Sequence, residues 1–212
     1  MKKLVVLLAV AVFSASAQAG MLRDLWVSMP DSLLPVLDKN LRIEFVDLKD
    51  MGVRAEVKNL LGEDCVMDTL SNDYLQLTTS ESSSWQMLLL PKSGNDSLLC
   101  VVRTFTGTEK ESEVRFYDRQ WREVNSQDVL PAGVGVAEDY FKAKPDTMSE
   151  DKYRELHRAI EPQMWHVGLS AEEKTLVYQL SLPNLSSEEK TQLNALLMQR
   201  KFKWNGEKFN EV

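Results

Sequence analysis

The sequence predicts an α+β fold in which an antiparallel β-sheet is packed with helices. Between residues 53 and 125, short apolar and polar runs alternate and are separated by polar turns, which is typical of β-strands. Runs this close together pair antiparallel, because a parallel crossover needs a dozen or more residues. Helical spacing occurs before residue 53 and again after residue 147. One continuous sheet and two helix-plus-sheet lobes both fit this order of elements.

The N-terminal segment predicts two helices. Ser28 and Asp31 form a capping-box-like S-x-x-D with a proline in the first turn, and the leucines and valine of 33–37 follow it. Residues 41–51 place apolar side chains at helical spacing, and Gly52 ends that second helix.

The central segment predicts a run of strands. They are residues 54–59, 65–70, 74–79, 85–90, 98–105 and 113–119, and Trp121 begins a last short strand. The polar stretches 91–96 and 107–112 are predicted to be turns between neighbouring strands.

The C-terminal segment mixes helix and strand signals. Thr147 and Glu150 form a capping box for a helix that ends before Pro162. Two near-copies follow, LSAEEKT at 169–175 and LSSEEKT at 185–191. Alternation after the first copy predicts a strand, and helical spacing after the second predicts a helix.

The chain closes on a predicted hairpin with Asn205-Gly206 as a two-residue turn. That turn would place Trp204 opposite Glu207 and Phe202 opposite Phe209. The rings of Phe202, Trp204 and Phe209 then share one face. This face is either part of the core or a surface on which a carbohydrate or peptide stacks.

The first nineteen residues are typical of a secretory signal peptide. Lys2 and Lys3 are followed by an apolar run of ten residues and by Ala17-Gln18-Ala19 as a cleavage site. The apolar run is too short to cross a bilayer. We therefore expect an exported protein, periplasmic or secreted, with no membrane span.

The expected organisation is residues 1–19 as the signal peptide, 20–130 as the N-terminal helices with the main antiparallel sheet, and 131–212 as a C-terminal α/β part with the closing hairpin. The formal net charge is −7, and it becomes −9 without Lys2 and Lys3. An acidic surface repels phosphates, so we expect no nucleic-acid partner. The sequence does not indicate an oligomeric state.

The two cysteines, Cys65 and Cys100, leave two alternatives open. An oxidising compartment would permit a disulfide between them, but Cys100 lies in an apolar run, which favours two buried free thiols. The histidines, His157 and His166, match no compact metal-ligand motif. We expect no metal and no cofactor.

Recognisable catalytic motifs are absent from the sequence. It contains no G-x-S-x-G elbow and no phosphate-binding glycine loop, so no catalytic residue is predicted. A pair formed by Cys65 or Cys100 with His157 stays open on the sequence alone. The large rings are the remaining candidates for recognition, and we nominate Trp26, Trp121 and Trp204 as binding residues.

Three stretches resemble an uncharacterised family of small secreted proteins from Bacteroidales. They are SLLPVLDKNLRIEFVDLKDMGVRAEVKNLLGE at 32–63, LLCVVRTF…EVRFYDRQW at 98–121, and the tail LSLPNLSSEEK…FKWNG. The family is a domain of unknown function. The resemblance implies an envelope or secreted location and an α+β build, and it supplies no catalytic residues.

These observations predict a non-enzymatic binding or interaction protein of the bacterial cell envelope, with a protein or a glycan as its partner. The alternative is a secreted hydrolase that acts on peptide or glycan. A cleft in which His157 or His166 lies within hydrogen-bond reach of a serine, a cysteine or a carboxylate would favour the alternative.

Overall fold

The computed structural model describes residues 20–182 and 185–212, so the predicted signal peptide lies outside the described residues. The described part contains two antiparallel sheets and five helices, which confirms the α+β prediction. The helices are α1 Met21–Ser28, α2 Lys39–Asp50, α3 Ser126–Val129, α4 Glu150–Arg158 and α5 Ser187–Leu196. The strands are β1 Glu56–Lys58, β2 Asp64–Leu70, β3 Tyr74–Ser80, β4 Ser83–Lys92, β5 Asp96–Thr106, β6 Lys110–Tyr117, β7 Glu123–Val124, β8 Met164–Ser170, β9 Thr175–Ser181, β10 Arg200–Trp204 and β11 Phe209–Glu211.

The first sheet is a seven-stranded meander in which each strand pairs with the next along the chain, from β1 to β7. Every pairing is antiparallel, as the short connections predict. The central hairpin of β4 and β5 is the longest and runs from the pair Ser83 and Phe105 to the pair Lys92 and Asp96. Its two faces contact different parts of the chain, namely the N-terminal helices on one side and the second sheet on the other.

Helices α1 and α2 cover one face of this sheet. Leu22, Trp26 and Phe45 are fully buried there, against side chains such as Met87 and Leu99 of the central strands. Trp26 and Phe45 meet edge to face, with ring centroids 6.3 Å apart. The N-terminal segment is therefore an integral layer of the fold.

The second sheet, in the order β11-β10-β9-β8, covers the opposite face. Cys100 and Phe116 of the first sheet share a hydrophobic cluster with Leu176, Phe202 and Phe209 of the second. The C-terminal part thus buries its apolar side against the first sheet, and the three layers are helices, first sheet and second sheet.

The first helix differs from its prediction. Ser28 is the last residue of α1 and not its cap, and residues 29–37 form no helix. Leu22, Leu25, Trp26 and Met29 are spaced i, i+3, i+4 and i+7 and are all buried, so the helical stripe lies before the prolines and not after them. Pro30 and Pro35 keep the following segment irregular.

The register of the closing hairpin was also predicted wrongly. Trp204 pairs with Phe209, and Phe202 pairs with Glu211, so residues 205–208 form a four-residue turn. The Asn205 side chain accepts hydrogen bonds from the backbone N–H groups of Glu207 and Lys208, both at 2.9 Å, and this widens the turn. The rings still share one buried face, because Phe202 and Trp204 are two residues apart on one strand.

Two smaller predictions need correction, and two are confirmed. Ser149 and not Thr147 caps α4, since its side chain accepts from the N–H of Lys152. Trp121 lies in a turn with φ 60°, and β7 begins at Glu123. The helix after the second near-copy forms with a complete capping box between Ser186 and Glu189, and the first near-copy leads into β9 as predicted.

Candidate functional site

A cleft of about 600 Å³ opens at one end of the contact between the two sheets. The turn between β5 and β6, residues 106–110, forms one wall, and helix α5 with the segment that follows it forms another. The neighbouring strands β8 and β9 supply the floor. Three segments distant in sequence therefore build this site.

An ion pair bridges two walls of the cleft. Lys190, near the start of α5, contacts Glu109 of the β5–β6 turn, with the Nζ and Oε1 atoms 2.5 Å apart. Both side chains are about one-third exposed. The capping box of Ser186 and Glu189 fixes the start of α5 and so sets where Lys190 lies. The pair ties the helix to the sheet at the cleft.

Uncharged polar side chains and apolar side chains share the remaining lining with Lys110 and His166. Gln199 donates to the side chain of Gln179 across the floor at 2.5 Å, and the Ser181 hydroxyl donates to the backbone oxygen of Lys110. Asn194 and Thr108 are exposed on opposite walls. Leu180, Leu182, Leu197 and Met198 add an apolar component. Among the described lining residues there is no phenylalanine, tyrosine or tryptophan.

His166 lies in the cleft and contacts a serine beneath it. Its Nδ1 atom is 3.3 Å from the Ser112 hydroxyl, and that hydroxyl is 2.9 Å from the hydroxyl of Thr104. Burial of the imidazole, together with the charge of Lys110, lowers the pKa of His166 from its ordinary value of 6.5. The ring is therefore mainly neutral at pH 7.

Ser112 also joins the two sheets. Its oxygen accepts a hydrogen bond from the backbone N–H of Val167 on β8, at 3.1 Å. Val167 is buried, so this N–H would otherwise lack a partner. The Ser112 side chain is below the cleft and is not among its lining residues. The contact meets the distance that the hydrolase alternative requires, but the hydroxyl is occupied by structural hydrogen bonds.

His157 has a different environment. It stacks on Phe141 with ring centroids 3.5 Å apart and lies next to Tyr153. Its Nε2 atom is buried and lacks a hydrogen-bond partner among the described residues. Burial lowers the pKa of His157. No described serine or cysteine is hydrogen-bonded to this Nε2 atom, and the ring contacts Phe141 and Tyr153, so His157 serves the packing of α4.

The three tryptophans nominated for binding all donate their indole N–H to a backbone oxygen. Trp26 is fully buried and donates to Arg42, and Trp204 is 7% exposed and donates to Pro91. Trp121 is partly buried, packs against Tyr117 and donates to Leu25. Trp26 and Trp204 offer no exposed ring face to a ligand, and none of the three lines the cleft.

The disulfide alternative for the two cysteines is wrong. Cys65 and Cys100 are both free and buried. Cys65 belongs to the cluster on the helix side of the first sheet, and Cys100 belongs to the cluster on the opposite side. They also lie on β2 and β5, with two strands between them, so their sulfur atoms cannot meet.

Two other features, a metal-binding cluster and a membrane-spanning helix, are not found among the described residues. Within residues 20–182 and 185–212, no group of three or more His, Cys, Asp or Glu side chains is arranged to hold a metal ion. No helix there is long and apolar enough to span a membrane. The residues that do build the cleft, such as Gln179, Lys190 and Asn194, carry no local motif by which the sequence could have revealed them.

Comparison with known proteins identifies the family. No curated protein matches this chain. A solved structure of a domain of an uncharacterized protein from Porphyromonas gingivalis W83 is similar, with 24% sequence identity and a TM-score of 0.77 over 92% of this chain and 98% of that one. At this identity the likeness shows a shared fold. The family model described as "Protein of unknown function (DUF3256)" matches residues 14–209, and the chain therefore belongs to that family, as its resemblance to an uncharacterised family predicted.

Proposed function

We propose that this protein is a non-enzymatic binding protein of the bacterial cell envelope, and that its ligand occupies the cleft between the β5–β6 turn and α5. The observation that carries the proposal is the cleft itself, a concavity of about 600 Å³ lined by amide, hydroxyl and ion-paired side chains together with Lys110, His166 and four apolar side chains. A volume of this order is typical of ligand sites. The envelope location is inferred from the signal-peptide features of residues 1–19.

The lining favours a peptide over a glycan. A glycan would be recognised best by the rings of tryptophan or tyrosine, which offer an apolar face for a sugar ring and a polar group for its hydroxyls. Neither residue is among the described lining residues. Gln179, Gln199 and Asn194 instead offer paired donors and acceptors that match a peptide backbone. Leu197 and Met198 provide an apolar contact for one side chain. The preferred ligand is therefore a short, polar stretch of polypeptide.

A blocked-cleft variant tests the proposal. The protein without its predicted signal peptide, residues 20–212, is immobilised and exposed to envelope extract, and bound peptides and glycans are identified by mass spectrometry. Asn194→Trp places a large ring in the cleft from an exposed helix position, and Gln127→Trp, at an exposed position of α3, is the matched control. A peptide retained by the wild type and by the control, but lost with Asn194→Trp, supports the proposal. Identical recoveries from all three proteins, or recovery of glycan alone, contradict it.

The hydrolase alternative retains one specific observation, the 3.3 Å contact between His166 and Ser112. It requires turnover that depends on both side chains. Peptide, ester and glycoside substrates with chromogenic leaving groups would be tested with the wild type, Ser112→Ala and His166→Gln. Hydrolysis by the wild type that both variants abolish, while they stay folded, would replace the binding proposal by this one.

A further inference from the structure

A second, smaller pocket lies on the helix side of the first sheet, on the face opposite to the cleft. Its volume is about 170 Å³. Ser32 and Leu33 of the irregular segment after α1 form its cover, and strands β4, β5 and β6 form its base. Trp85, Arg103 and Glu113 form one cross-strand row in this base, because Trp85 pairs with Arg103 and Arg103 pairs with Glu113.

Arg103 is held in place by aromatic rings. Its guanidinium carbon is 4.3 Å from the centroid of Phe105 and 5.5 Å from that of Trp85. Among the described residues no carboxylate pairs with the guanidinium, and its buried Nε atom lacks an acceptor. Stacked arginines lose little rotamer freedom when they bind, so this side chain is pre-organised for an anion.

Other donors without partners lie next to Arg103. Trp85 is 5% exposed, and its Nε1 atom is buried without an acceptor in the described part of the chain. The buried Ser83 hydroxyl, on the same face of β4, also lacks a partner there. Buried polar groups are nearly always hydrogen-bonded, so a cluster of unpartnered ones indicates a site for an acceptor.

The charges on the pocket walls limit what can bind. Glu113 is paired with Arg115, whose Nη2 atom is 2.5 Å from Oε1, and Glu123 lies 3.6 Å from the same guanidinium. Arg103 is therefore the one charged side chain of the described lining that has no ion-pair partner. A monoanion neutralises that charge, whereas a dianionic phosphate would meet repulsion from Glu113. Leu33 and Val101 add apolar walls.

We propose that this pocket binds one carboxylate group that carries a short apolar chain. The guanidinium of Arg103 and the indole N–H of Trp85 donate to the carboxylate oxygens, and Leu33 and Val101 contact the apolar chain. The carboxylate belongs either to a small organic acid or to the C-terminus of a peptide, because both present the same chemistry to these donors. The site is separate from the cleft of the proposed function.

The indole N–H of Trp85 is the reporter for the first experiment. Its resonance in ¹⁵N-labelled protein is assigned by its loss in Trp85→Phe, and sodium propionate is then added. We expect a saturable shift with propionate and none with propionamide or sodium chloride, since only the carboxylate pairs with Arg103. Arg103→Gln should weaken this binding by about tenfold or more. Arg158→Gln, which removes an exposed arginine of α4, should leave it unchanged.

Peptides distinguish the two sources of the carboxylate. A tripeptide with a free C-terminus is compared with the same tripeptide amidated at its C-terminus. Tighter binding of the free form than of propionate assigns the site to peptide C-termini, and weaker binding assigns it to small acids. The proposal is overturned by equal shifts with propionate and propionamide, by tighter binding of inorganic phosphate, or by an unchanged response in Arg103→Gln. The dispersion of the other indole resonances verifies that each variant is folded.

Discussion

Replacing Arg42 is expected to destabilise the protein more than replacing any exposed arginine. Arg42 lies on α2, is 1% exposed, and donates to the backbone oxygens of Leu37 at 2.6 Å and Met29 at 2.5 Å. A third contact joins its Nη2 atom to Asp31 at 2.8 Å. One buried guanidinium thus fixes the irregular segment 29–37 on the helix layer.

The magnitude follows from which of these contacts are buried. The Asp31 side chain is 62% exposed, so Asp31→Asn should cost only about 0–1 kcal/mol. Arg42→Ala leaves two carbonyl oxygens without their donor and opens a cavity. We expect a loss of about 4 kcal/mol in the free energy of unfolding. Arg42→Lys keeps the charge, but an ammonium cannot reproduce the planar fork, and a loss of about 2 kcal/mol is expected.

Guanidinium chloride unfolding followed by intrinsic tryptophan fluorescence measures these differences. Trp26 is one of the five tryptophans that contribute to this signal, and its indole donates to the Arg42 carbonyl. Arg154→Ala is the matched control. It removes an arginine that is 60% exposed from an ion pair on α4, and should cost less than about 0.5 kcal/mol. If Arg42→Ala and Arg154→Ala fall within about 1 kcal/mol of each other, the reasoning about the buried fork is refuted.

Three further predictions concern thiols, pH and the contact between the sheets. Cys65 and Cys100 are buried and burial raises the pKa of both thiols, so we expect a thiol reagent to label neither in the native protein and both after unfolding. The pKa values of His157 and His166 are lowered in the folded protein, so the unfolded chain binds protons more readily. The free energy of unfolding should therefore fall as pH drops below about 6.5, by at most about 1.4 kcal/mol per pH unit for each ring. Ser112→Ala should cost about 1–3 kcal/mol in the same assay, because the buried N–H of Val167 loses its acceptor.

Each of these predictions has a control. Rapid labelling of native protein, or a mass that rises on reduction, would contradict the free buried thiols. The double variant His157→Gln, His166→Gln should flatten the slope between pH 7.5 and 5.5, above the range where carboxylates titrate; an unchanged slope would exclude the histidines as its cause. Ser82→Ala, on an exposed turn, should cost less than about 0.5 kcal/mol, and an equal loss in both serine variants would remove the role of Ser112.

Sequence reasoning recovers the elements that local chemistry decides. The strands of the first sheet and helix α2 follow from periodicity, and α5 follows from its capping box. The prediction for the first helix is wrong because Ser28 is the last residue of α1 and does not cap its start. The apolar stripe from Leu22 to Met29 was the stronger signal. The predicted hairpin register is wrong because the Asn205 side chain accepts hydrogen bonds from the backbone of Glu207 and Lys208 and so stabilises the longer turn.

The candidate sites could not be predicted from the sequence, for a different reason. The cleft combines Glu109, His166 and Lys190, which come together only after the second sheet packs on the first. The smaller pocket likewise needs Leu33 to lie over Trp85 and Arg103. Tryptophan content indicated recognition, yet Trp26 and Trp204 are buried. Large rings are favoured both by cores and by interfaces, so composition alone cannot separate the two.

Ser112 illustrates why proximity of a histidine and a hydroxyl is weak support for catalysis in this protein. A nucleophilic serine must present its oxygen to a substrate while a base removes its proton. The Ser112 oxygen already accepts from Val167 and contacts Thr104, and freeing it for attack would leave a buried N–H unpaired. Catalysis would therefore weaken the junction between the two sheets at each turnover. A hydroxyl with a structural role accounts for the same contact without that cost, and this is why we prefer the binding proposal to the hydrolase.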